Sequence, residues 1–169
     1  MLIAGLGLYL RITMVENSEV VGPIRADASE YYLTAYNLAK NGVYTMSDAR
    51  LKDPGATLRP DNFRWPGQLL LIAAFMGDWP QHLLIVHKLQ WVNIIAGTST
   101  LILIGLAAAA VFPTWAALTV VALTAISPHL IALMIYVLTE TPGAFFVALL
   151  LALCAFGQRA DAHHGTDVS

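Results

Sequence analysis

Residues 94–111 read Ile-Ile-Ala-Gly-Thr-Ser-Thr-Leu-Ile-Leu-Ile-Gly-Leu-Ala-Ala-Ala-Ala-Val. No charge interrupts them, and Leu, Ile, Ala and Gly dominate. As a helix the run rises about 27 Å, close to the roughly 30 Å of a bilayer's hydrocarbon core. The turns upstream, from His82, carry His87, Lys88, Gln90 and Asn93, and Phe112-Pro113 closes the run. The pattern predicts one long membrane helix with a polar entry, its first side chains snorkelling towards water. Working outward, three further apolar stretches appear. Residues 1–15 are apolar but for Arg11. Residues 115–136 contain Pro128-His129, where a kink or break is expected. Residues 141–156 begin with Thr141-Pro142, and proline is tolerated in a first helical turn.

The composition points the same way. Hydrophobic residues make up 57%, charged residues 12%, and the mean hydropathy is +0.65. A soluble domain carries about 25% charged residues. The reading is therefore an all-α, polytopic membrane protein with about four transmembrane helices and a large structured extracytoplasmic loop over about 16–81. The first stretch is short for a span. Its arginine comes late and Glu16 follows, which argues against a cleaved signal peptide. Cys154 is the only cysteine and lies in an apolar run, so it reads as a small buried hydrophobe. No Cys/His spacing suggests a metal, no cofactor is implied, and the absence of a Lys/Arg cluster excludes nucleic acid. The polar residues 157–169 read as a disordered tail.

The loop is where chemistry can reside. Residues 16–65 hold six of the nine Lys/Arg and seven of the eleven Asp/Glu. That mixture, and its length, leave Lys/Arg counting uninformative about orientation. Asp27 suits an N-cap, and Glu30 three residues on completes a capping-box pattern. The helix so begun runs through Tyr31, Ala35, Leu38 and Ala39 and stops at Asn41-Gly42. Tyr31, Tyr32, Tyr36 and Tyr44 give it an aromatic character that fits a membrane–water interface, and Trp65, Trp79, Trp91 and Trp115 read as interface anchors. Pro54-Gly55, Arg59-Pro60 and Trp65-Pro66-Gly67 signal turns. The short apolar run 68–76 fits a buried or interfacial helix.

The order of these features resembles the N-terminal half of the transmembrane module of GT-C glycosyltransferases. An apolar helix ends in Arg11. Asp27-Ala28-Ser29-Glu30-Tyr31-Tyr32 opens the Tyr-rich helix, followed by Ala35 and Asn41-Gly42. Then come Arg64-Trp65-Pro66-Gly67, a helix with Gln90 near its start, Ser127-Pro128-His129, and Leu138-Thr139-Glu140-Thr141-Pro142. The dolichyl-phosphate-mannose protein mannosyltransferases and the lipid A aminoarabinose transferase are the most similar in pattern. The likeness runs to about Phe156 and rests on order and spacing, since each motif is short.

The resemblance implies a partial GT-C module over residues 1–156 in a multi-pass plasma (bacterial inner) membrane protein. It implies sugar transfer, with inversion, from a polyprenyl-phosphate donor to an acceptor hydroxyl on the extracytoplasmic face. Asp27 matches the family's catalytic base, Glu140 its second acidic residue, and Arg59 and Arg64 its donor-phosphate ligands. The family has many more membrane helices and usually a soluble C-terminal domain, so missing C-terminal helices or a partner subunit are implied alongside membrane lipid. The chemistry is coherent: phosphate leaves without a strong acid, so one base suffices, and cations stabilise the departing charge. Blander readings stand beside it. Asp27 suits a simple cap and Glu30 a capping partner. Glu140 suits an acid at a helix start, and the arginines suit solvated or headgroup-facing charges. The competing function is a non-catalytic truncated remnant or small membrane subunit that binds lipid or a partner protein. Transport ranks last, because the apolar helices offer almost no polar pathway.

Overall fold

The computed structural model describes residues 2–18, 27–61, 64, 66–76, 82–136 and 138–166. Among them the secondary structure is helical throughout: α1 (Leu2–Asn17), α2 (Asp27–Asn41), α3 (Ala49–Lys52), α4 (Pro66–Ala74), α5 (His82–Val111), α6 (Thr114–Ile126), α7 (Pro128–Ala132) and α8 (Glu140–Thr166). The chain divides into two compact units. One comprises Met1–Ser18, Val92–Met134 and Glu140–Ser169; the other comprises Glu19–Trp91 and Ile135–Thr139.

In the first unit α1 packs on α6 and α7. Glycines allow the close approach: a Cβ on Gly7 would lie 2.6 Å from Leu101 Cδ2, and one on Gly105 would lie 2.8 Å from Val121 Cγ2. Small residues at helix contacts are the usual device where helices have no water to expel from between them. The pattern on α8 is inverted relative to a soluble helix. Ala148, Ala152 and Ala155 face inward, at i, i+4 and i+7, while Phe146, Val147, Leu150, Leu151 and Leu153 are exposed. Cys154 is exposed too, not buried as its apolar neighbours suggested. In an inverted helix the apolar run faces outward.

Two helical stretches are long and apolar enough to cross a membrane, Ile85–Val111 with 27 residues and Glu140–Arg159 with 20. Those are two of the four spans expected. α1 has 16 residues and α6 has 13, rises of about 24 Å and 20 Å, short of a full crossing. The expected break at Pro128 is present: Ser127 leaves helical geometry with ψ 114°, and α7 then lasts only five residues. Helix does not continue to Tyr136, as the apolar pattern suggested, because Leu133 to Tyr136 turn away from it. In compensation α8 runs past Phe156, through the stretch expected to be a disordered tail, to Thr166. Gln158, Arg159, Ala160 and Ala162 are good helix formers, and extending an existing helix avoids the nucleation step.

The second unit is built around α2. Ala28, Tyr31, Tyr32 and Ala35, an i, i+3, i+4, i+7 face, meet Leu69 and Ile72 of α4 and Ile85, Val86 and Leu89 of α5 in one buried cluster. The helix ends where the sequence indicated. Gly42 sits at φ +66°, its N–H donates to the Leu38 carbonyl at 3.1 Å, and the Val43 N–H reaches the Asn37 carbonyl at 3.3 Å. Only glycine takes that left-handed geometry without strain. Gln90 Nε2 donates to the Ile135 carbonyl at 3.1 Å, satisfying backbone that α7 and α8 leave outside any helix.

Candidate functional site: an acidic pair around Arg64

The first turn of α2 carries Asp27 and Glu30, spaced so that both side chains lie on one face. Arg64 comes to them from the far end of the loop. Its Nη2 donates to Asp27 Oδ1 at 2.7 Å, and its Nε to Glu30 Oε2 at 2.7 Å, with a second, short bond from Nη2 to the same Glu30 oxygen. Asp27 and Arg64 are 37 residues apart in sequence. The guanidinium carbon lies 5.0 Å from the centre of the Tyr31 ring, a cation–π distance. The Tyr44 hydroxyl donates to the Arg64 carbonyl, so the main chain is pinned as well as the side chain.

Exposure grades across the cluster. The Arg64 side chain is 18% exposed, Glu30 38% and Asp27 62%. Arg64 is thus the enclosed hub, and Asp27 the member most open to the surroundings. The hydrogen bonds it donates to Glu30 and then to Asp27 raise the Arg64 pKa above its already high value, against the opposing effect of partial burial. The Tyr44 hydroxyl is pushed above the ordinary tyrosine value by burial, with electrostatic repulsion from Asp61 and then Tyr31 adding to it.

The strand of loop bearing Tyr44 is held by a network that sequence reasoning missed. Asn37, fully enclosed in α2, donates from Nδ2 to the carbonyls of Thr45 at 2.9 Å and Ser47 at 2.8 Å. Asp61 Oδ2 accepts from Thr45 Oγ1 and from the Met46 N–H, both at 2.9 Å, and the Asp61 N–H donates to the Tyr44 carbonyl at 2.8 Å. The only hint available was an asparagine inside an otherwise aromatic helix, a residue that helix interiors disfavour.

Of the expected site residues, Asp27 and Arg64 meet. Asp27 and Glu30 do not act as cap and capping partner: Asp27 lies within α2 and both carboxylates turn to Arg64. A guanidinium offers a stronger, charge-assisted partner than a backbone amide. Arg59, in the same unit, is exposed and makes no ion pair with a described residue. Glu140 belongs to the other unit, where it opens α8 with an exposed side chain. Trp91 is 40% and Trp115 73% exposed, while Trp65 and Trp79 lie outside the described residues. Comparison with protein families, curated proteins and solved structures finds no match to this chain.

Proposed function

We propose that this chain forms part of a membrane glycosyltransferase that moves a sugar from a polyprenyl-phosphate donor to an acceptor hydroxyl. The observation that carries the reading is the pairing of Asp27 with Arg64 across 37 residues of loop. In this reading Asp27 takes the acceptor proton as its oxygen attacks the anomeric carbon. Arg64 positions the Asp27 carboxylate and, with two acids already on it, has little capacity left for a phosphate. The exposed Arg59 then meets the donor phosphate, and Glu140 remains the second acidic candidate, on the other unit. The phosphate leaves on the face opposite the attack, giving inversion.

The membrane setting is supported by the outward apolar face of α8. Five large side chains there would each lose about 1.5–3 kcal/mol of burial energy in water, and lipid removes that penalty. We read α1 and the broken α6–α7 pair as the remaining two of four membrane segments, with the unit around α2 on the extracytoplasmic side. Missing helices or a partner subunit would complete the module.

One observation favours a second reading, a non-catalytic subunit. Arg64 between two carboxylates also describes a purely structural clasp. Discharge of synthetic polyprenyl-phosphate sugars by the native polypeptide in proteoliposomes separates the two. Sugar transfer to an acceptor, weakened in Arg59→Gln through a raised KM for donor, fits a transferase. Absence of discharge across hexose and aminosugar donors leaves the clasp alone standing.

A further inference from the structure

Arg11 is the anomaly of the first unit. The residue is 1% exposed, and its one hydrogen bond among the described residues runs from Nη1 to the Gly7 carbonyl of its own helix at 2.8 Å. Its Nε has no acceptor, and no described carboxylate pairs with it. Nor is it at a helix rim. A Cβ on Gly97 would lie 3.3 Å from Arg11 Nε, and Gly97 falls near the middle of the apolar stretch Ile85–Val111. A guanidinium buried among apolar helices without a counter-charge is strongly disfavoured, and such residues mark functional sites.

A small cavity lies against this side chain. Arg11, Gly97, Thr100, Met134, Thr141 and Ala144 help to line it, and it admits a single water-sized body. Two positive features converge there. One is the guanidinium. The other is the first turn of α8, to which Thr141, 3% exposed, belongs; the acid of that turn, Glu140, is exposed and does not line the cavity. The free N–H groups of a helix start carry about half a positive charge. α8 begins shortly after the irregular residues 133–136, the arrangement by which interrupted membrane helices hold anions. The Thr100 hydroxyl is already given to the Ala96 carbonyl at 2.8 Å, which leaves Thr141 as the hydroxyl donor.

We propose that this cavity binds one small inorganic anion of the halide class, chloride in the physiological case, as the counter-ion of Arg11. Charge calls for an anion, and the space restricts it to a monatomic one. A carboxylate side chain or a lipid phosphate exceeds the space, and water would fill it without neutralising the charge. The inference is independent of the transfer reading.

The test is equilibrium binding of radioactive chloride to the purified full chain in detergent, with gluconate holding ionic strength constant. About one ion binds per chain, bromide competes, and chloride raises the thermal midpoint in a saturable way. Arg11→Met weakens binding by about 10- to 100-fold, the effect of losing a charged hydrogen-bond donor. Thr141→Val, which keeps the shape and removes the hydroxyl, weakens binding while leaving the chloride-free midpoint within a few degrees. No saturable binding by the unaltered chain, or equal binding by Arg11→Met, overturns the proposal.

Discussion

Arg64 shows how one side chain organises a loop. Its planar fork satisfies Glu30 through Nε and Nη2 and Asp27 through Nη2, while its face covers Tyr31. Lysine offers a point charge without the fork or the flat face. Arg64→Lys is therefore expected to lower transfer while leaving the protein folded, read as turnover against an unchanged circular dichroism spectrum. Tyr44 and Tyr32 supply a pH signature. Burial raises both pKa values above the ordinary 10.0, with Asp61 and Tyr31 adding at Tyr44 and Tyr36 at Tyr32. A folded-state value above the unfolded one means stability that is complete below pH 10 and lost as pH rises through the folded values. Alkaline titration of the thermal midpoint should fall beyond about pH 10, and Tyr44→Phe should flatten part of that fall. A midpoint indifferent to pH 9–12 contradicts this. Asp27 and Arg64 were legible as a pair only through motif order. Glu30 was misread because capping rules are local, whereas its partner is 34 residues away.

At the scale of elements, long and strongly patterned helices were read well. α2 and α5 fall where their capping and apolar signals put them, and Gly42 marks the end of α2 because φ +66° demands it. What failed was reading where helix stops when every residue is apolar. Residues 133–136, Leu-Met-Ile-Tyr, carry no breaker, yet the helix ends, and Gln90 caps the freed Ile135 carbonyl from another element. α3 escaped notice because a single turn has no period. Two substitutions test the packing. Leu69 and Ile72 are fully buried between α2 and α4, so Leu69→Ala should cost about 2–5 kcal/mol in denaturant unfolding of the loop unit. Gly105→Ala sets a Cβ 2.8 Å from a stiff, β-branched neighbour, Val121, and should cost about 1–3 kcal/mol. If it leaves the midpoint unchanged, the α5–α6 approach is looser than described.

For the whole molecule the decisive feature is that apolar surface faces out. Alanines inside α8 and leucines outside are what lipid favours and water opposes, a distinction that composition alone could suggest but not assign to a face. Cys154 reports it directly. The thiol is exposed beside Leu153, so in membranes it should react with a lipid-soluble maleimide and resist a sulfonated one. Rapid labelling by the sulfonated reagent would place that face in water. The proposed function rests on Asp27, the most exposed member of the Arg64 cluster. Its direct test is donor binding and sugar transfer measured on the same proteoliposomes for the native protein and for Asp27→Asn. Loss of a general base predicts transfer reduced by about 10²–10⁴-fold with donor binding retained. Transfer by Asp27→Asn at the native rate contradicts the account.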